Sequence, residues 1–231
     1  MKTLLSAHWL NEGLCRRLVA EGLGTLFLLA TVVGSGIMGE RLAKGNDAVA
    51  LLANTFATSA ILVILIMAFG PLSGAHFNPV VSLVMVLRRE LPWREFPVYL
   101  LAQFVGALVG VILAHIMFEL PLVTPSLHDR SGVAKMISEA VATFGLIGVI
   151  LSCATHRKEA IPYAVAAYVG AGYWFTASTS FANPAVTLAR TFTNTFSGIR
   201  LLDAPGFMLA QIVGALAAAL LFGWLYPRAV S

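Results

Sequence analysis

The chain has 231 residues, 58% of them apolar and only 11% charged, a balance that excludes an ordinary soluble domain, where about a quarter of residues are charged. The formal charge of +4 is spread over short loops with no long basic run, so no nucleic-acid partner is expected. Two cysteines, Cys15 and Cys153, are too few for a disulfide framework and match no metal-ligand spacing, so neither metal nor cofactor is expected.

The apolar residues fall into runs of the ~20 residues needed to cross a bilayer. The first, Leu18–Gly39, is too long for the core of a cleavable signal and reads as a span. Val49–Phe69 is the second. A small, glycine-bearing stretch, residues 70–77, then leads to Asn78-Pro79 and a short apolar piece, Pro79–Leu87. Spans three, four and five are Phe96–Phe118, Val133–Ala154 and Ile161–Ser178. A second polar stretch, residues 176–182, leads to Asn183-Pro184 and the short piece Pro184–Phe192, and Gly206–Tyr226 is the sixth span. At about 1.5 Å per residue each short piece covers roughly half the bilayer.

Nine of the fifteen basic residues (Lys2, Arg16, Arg17, Arg88, Arg89, Arg94, Arg157, Lys158 and Arg228) fall on the side shared by the termini. The positive-inside rule then puts both termini in the cytoplasm.

The chain repeats itself. Residues 101–108, LAQFVGAL, return as LAQIVGAL at 209–216. FNPVVSL at 77–83 returns as ANPAVTL at 182–188, and AEGLGT at 20–25 is echoed by SEAVAT at 138–143, in the same order. The halves are about 1–120 and 121–231 of one channel-like domain, 1–231. Each contributes three spans, an odd number, so the second copy enters the membrane inverted, an arrangement that puts interrupted helices near the midplane.

Asparagine is a strong N-cap and proline suits the first helical turn, so Asn78-Pro79 and Asn183-Pro184 read as starts of two half-helices approaching one central point from opposite faces. The loops before them must be buried in protein or line a wet cavity, where their carbonyls would accept hydrogen bonds and the Asn amides donate them. Two helix N-termini aimed at one point make it electropositive. Glu21 and Glu139, ionisable groups within apolar spans, are expected to hold the loops through backbone N–H groups, with Gln103 and Gln211 as braces. His76 is expected to tie its loop to the half-helix, the other reading being a titrating gate on the pore side.

These residues resemble the aquaporin or major intrinsic protein family over nearly the whole chain. The resemblance implies an all-α membrane protein with six transmembrane helices, two re-entrant half-helices and an inverted internal repeat. It also implies a pore in each protomer, a homotetramer in the lipid bilayer and, for a bacterial member, the inner membrane. In such pores half-helix dipoles or an arginine exclude cations. The central constriction is expected at Asn78, Pro79 and Val80 with Asn183, Pro184 and Ala185, Val80 replacing the family's alanine and adding methyl groups there. Spacing from the motifs puts the outer filter near Ala60, Ala171, Ser180 and Val186, where a water-selective member has an aromatic, a histidine and, at the Val186 position, an arginine. Arg190, one turn beyond Val186, is a candidate either to supply the missing charge or to cap loop carbonyls. The filter so read is wide and mostly apolar, which points to small neutral solutes, such as glycerol-like polyols, metalloid hydroxides such as arsenite, and water. A water-selective aquaporin and an inverted-repeat secondary transporter are the alternatives. The five histidines (8, 76, 115, 128 and 156) are scattered and neither HExxH nor GxSxG occurs, so no enzyme is expected.

Overall fold

A computed structural model of the protein describes residues 3–226, with side chains from residue 13 onward; Lys2, Arg228 and the side chain of His8 lie outside the described residues. The described residues form eight α-helices: α1 (Thr3–Ala43), α2 (Asp47–Ser73), α3 (Pro79–Leu87), α4 (Phe96–Met117), α5 (Val133–His156), α6 (Ile161–Phe175), α7 (Pro184–Ala189) and α8 (Ala204–Leu225). No strand occurs among the described residues. Within lipid every backbone group must be satisfied locally, which leaves an apolar chain of this kind little choice but helices.

Residues 13–43 of α1 and the whole of α2, α4, α5 and α8 are long and apolar enough to cross a membrane. The fifth span, α6, ends at Phe175, short of the expected Ser178, because Thr176 is already extended (φ −108°, ψ 141°). Its 15 residues, about 22 Å of helix, are lengthened at the start by a 3-10 turn over Lys158–Ala160. The first short piece is the α-helix expected, and the second is α7 followed by a 3-10 turn at Arg190–Phe192.

Large apolar side chains such as Phe56, Ile64, Leu101, Leu220 and Trp224 face outward. Small residues face inward, as they do where helices associate in lipid. On α4 these are Gly106, Ala107, Gly110 and Ala114, and on α8 Gly214, Ala215 and Ala218. They let α4 pack closely on α1, and α8 on α5. A Cβ at Gly106 would run into the carbonyl of Gly22, and one at Gly214 into that of Ala140.

The halves also interlock. Val80, Val81, Val84 and Met85 of α3 join a core with Ile147 and Leu151 of α5 and Ala215 and Ala218 of α8. Ala185, Val186 and Ala189 of α7 join the core built by α1, α2 and α4. Each half-helix thus seats against spans of the opposite half, and α3 and α7 touch each other.

Candidate functional site

Asn78 and Asn183 cap α3 and α7 from extended backbone (φ −155° and −158°). The Asn78 side-chain oxygen accepts from the Val80 N–H (3.0 Å), and that of Asn183 from the N–H groups of Ala185 (3.0 Å) and Val186 (3.3 Å). Each amide nitrogen reaches across to the other loop. Asn78 Nδ2 donates to the Ala182 carbonyl (2.8 Å) and Asn183 Nδ2 to the Phe77 carbonyl (2.8 Å). The two tips are therefore tied together inside the protein, and among the described residues one hydrogen on each amide has no protein acceptor.

The loops before the tips share one backbone path. Positive φ occurs at Gly74, Ala75 and Phe77 and, at the matching positions, Thr179, Ser180 and Ala182. Left-handed backbone is unfavourable for residues with a Cβ and persists where its surroundings hold it. Glu21 accepts from the N–H groups of His76 (2.9 Å) and Phe77 (2.7 Å). Glu139 accepts from those of Phe181 (2.9 Å) and Ala182 (2.8 Å). Gln103 Nε2 then joins Glu21 to Ser82 Oγ, and Gln211 Nε2 joins Glu139 to Thr187 Oγ1. Ser73 and Ser178 each accept from the N–H two residues on, in Ala75 and Ser180. All four acidic and amide side chains are fully buried. Bracing by Glu21, Glu139, Gln103 and Gln211 is thus present as bonds.

The tips and loops line a cavity of about 610 Å³ that runs through the bundle. One wall is apolar, with Leu28, Val32, Leu62, Ile66, Val165 and Val169. The other carries the loop segments 74–77 and 180–182 together with Asn78 and Asn183. His76 lines the conduit and also shares a hydrogen bond with Ser82 Oγ (3.0 Å), so the tie from loop to half-helix exists.

Several expected positions lie elsewhere. Ala60 and Ala171 are exposed on the outside of their helices. Thr58 and Tyr173 line the conduit in their place, the tyrosine hydroxyl donating to Thr58 Oγ1 (3.2 Å). Counting back from a motif across an irregular loop fixes position only to about two residues, and two residues on a helix are about 200°, the opposite face. Val80, Pro79, Pro184 and Ala185 are buried in the protein and do not line the cavity. The Val80 methyl groups therefore enter the core of α3, α5 and α8, and do not narrow the conduit. Val81 and Val186, three residues after each Asn, share the tip's face and do line it, as does Ser180.

Arg190 is 3% exposed and lines the conduit. Its Nε donates to the Ser197 carbonyl and its guanidinium lies over the Phe181 ring, 3.4 Å from the centroid. Arg130, in the loop before α5, also lies over that ring (5.1 Å). Thr58, Tyr173, Phe181 and Arg130 escaped the sequence reading. So did buried His115, whose ring contacts the Pro121 carbonyl (2.7 Å) and Thr193 Oγ1 (2.8 Å) and anchors the segment after α7. Serine five residues before each Asn was the one visible signal among these missed contacts, since Ser73 and Ser178 are repeat-equivalent.

Comparison with known proteins agrees with this architecture. The family model described as major intrinsic protein matches residues 8–176 and 157–231. Aquaglyceroporin AqpS of Rhizobium meliloti (strain 1021) is 56% identical over 216 residues, covering 94% of this chain and 92% of that protein. Aquaporin NIP2-1 of Oryza sativa subsp. japonica is 28% identical, covering 95% of this chain and 72% of the relative. The X-ray structure of the aquaglyceroporin from Plasmodium falciparum shares the fold, with a TM-score of 0.66 at 20% identity, covering 94% of this chain and 97% of that one. With paired Asn-Pro half-helices meeting in a lined conduit, and these matches along its length, the chain belongs to the major intrinsic protein family.

Proposed function

We propose that this integral membrane protein is a passive channel for small uncharged solutes: glycerol-like polyols, metalloid hydroxides such as arsenite, and water. The supporting observation is the two-faced conduit, an apolar wall of Leu, Ile and Val opposite loop backbone and two Asn amides. A solute with hydroxyl groups on one side and carbon on the other is matched by both walls, whereas an ion is matched by neither. The Rhizobium relative, 56% identical, bears the name aquaglyceroporin, which favours solutes of this size.

The outer constriction is assigned to Thr58, Tyr173, Ser180 and Val186. Val186 stands where a water-selective member carries arginine, which leaves more room and fewer donors than a water filter has. The protein works as a homotetramer in the bacterial inner membrane with both termini cytoplasmic. A secondary transporter would require a coupling carboxylate at the midplane, and Glu21 and Glu139 are committed to loop N–H groups and Gln amides.

Stopped-flow swelling of proteoliposomes with water, glycerol, urea and arsenite tests the reading. Glycerol and arsenite should enter without an ion gradient and without saturation, and Val186→Arg should cut glycerol flux by about tenfold or more while slowing water less. Rapid water flow with no uptake of glycerol or arsenite sinks it.

A further inference from the structure

The half-helix α7 carries a neutral Val186 where the family pattern has its filter arginine, yet Arg190 lines the conduit and a second guanidinium, that of Arg130, lies over the same Phe181 ring. Arg190 lies four residues after Val186, on the same helix face. Helical side chains lean back toward the N-terminus, so its head returns to the level of Phe181, just before the Asn183 tip. Among the described residues its two terminal nitrogens have no hydrogen-bond acceptor, and only Nε is engaged, with the Ser197 carbonyl. Arg130 reaches the same ring from the loop before α5. It is held by the carbonyls of Gly198 (2.7 Å), Ser178 (3.3 Å) and Phe196 (3.4 Å) and by Thr179 Oγ1 (3.4 Å). Each of these acceptors is neutral, and no ion pair of either arginine occurs among the described residues.

We propose that Arg130 and Arg190, positioned together on Phe181, form the cation barrier of this conduit, replacing the charge absent at Val186. A bare arginine at the Val186 position would occupy the lumen. Here the side chain is rooted one turn further along the helix and its charge lies over an aromatic ring, so the field persists while the passage stays open to solutes larger than water. Guanidinium remains charged at any physiological pH, and two such groups, one lining the conduit and one behind it on the same ring, repel hydronium and metal cations while acting weakly on neutral polyols. Sequence spacing alone could nominate Arg190; the partnership with Arg130 through a shared ring is visible only in three dimensions.

This assignment rests on the channel reading above, and the two fail separately: absent glycerol flux in the wild type defeats the channel, whereas ion leak tests the barrier. Proteoliposomes loaded with a pH dye, under a potassium diffusion potential set by valinomycin, report proton leak, and glycerol swelling is measured on the same preparations. Wild type should leak no faster than empty vesicles. Arg190→Gln should raise the ratio of proton to glycerol permeability about tenfold or more, and Arg130→Gln should raise it less. Arg190→Lys, which keeps the charge but loses the flat stack, should remain tight. Val186→Arg combined with Arg190→Gln should restore exclusion. A tight Arg190→Gln overturns the proposal, as does an Arg190→Lys that leaks as much as Arg190→Gln. Should Arg190→Gln not be recovered folded, Arg130→Gln decides, and a tight channel there overturns the proposal too.

Discussion

The two re-entrant loops follow one construction plan and part company only in a few side chains. Each has a serine five residues before the Asn, the same left-handed positions, a buried glutamate receiving two loop N–H groups, and a glutamine bridging that glutamate to a hydroxyl on the half-helix. The differences sit on this common frame. The Ser73 carbonyl is held by the Tyr99 hydroxyl (3.1 Å), and the Ser178 carbonyl by the Arg130 guanidinium (3.3 Å). His76 corresponds to Phe181, and Met85 to Arg190. The frame is duplicated because buried N–H groups in lipid have to be satisfied in either orientation. Nothing in that requirement constrains what the remaining side chains are, so one loop carries His76 tied to its half-helix and the other Phe181 under two guanidinium groups.

The sharpest way to break this equivalence is to remove the carboxylates. Glu21→Ala and Glu139→Ala each strand two buried N–H groups and a glutamine amide, at about 1–3 kcal/mol per unsatisfied group. Both should lose about 3 kcal/mol or more, seen as a large drop in thermal unfolding temperature in detergent. If only one of them were strongly destabilised, the two loops would not be held by the same device.

A smaller effect is expected at the helix crossings. Gly106→Ala and Gly214→Ala push a methyl group against the carbonyls of Gly22 and Ala140. Overpacking of this kind costs about 1–3 kcal/mol, equally in both halves. Gly223→Ala is the reference, since a Cβ there meets nothing within 4 Å; it should be neutral or slightly stabilising. Equal unfolding temperatures for all three variants would mean that the crossings are looser than described.

Much of this was legible in the sequence. The half-helices announced themselves by Asn-Pro, a motif that is local and repeated, and Glu21, Glu139, Gln103 and Gln211 stood out as polar residues in apolar spans. Their partners are loop N–H groups, as expected for charged groups that lipid would otherwise penalise. The conduit wall was less legible. Thr58 and Tyr173 lie on featureless apolar helices, where a count two residues out selects the wrong face and lands on Ala60 and Ala171. Val80 misled for a related reason: its place beside the motif suggested the lumen, but one residue of helical rotation turns it into the core shared with Ile147 and Leu151. Arg130 was beyond reach because its role depends on a long loop folding back over the second tip.

The finest difference between the loops lies in their hydroxyl ties. Ser82 Oγ meets Gln103 Nε2 (2.9 Å) and the ring of His76 (3.0 Å), so it binds the loop to the half-helix. Thr187 Oγ1 meets Gln211 Nε2 (2.8 Å) but otherwise donates to the Asn183 carbonyl in its own helix (2.8 Å). Phe181, at the His76 position, offers its ring to guanidinium groups and makes no such tie. A double-mutant cycle separates the two cases. Ser82→Ala with His76→Ala should show a coupling of about 1 kcal/mol, the net worth of one hydrogen bond, whereas Thr187→Val with Phe181→Ala should be additive within about 0.5 kcal/mol. Coupling in the second pair as large as in the first would mean that the aromatic loop is also held through its half-helix, and the loops would then differ only in the guanidinium groups that Phe181 receives.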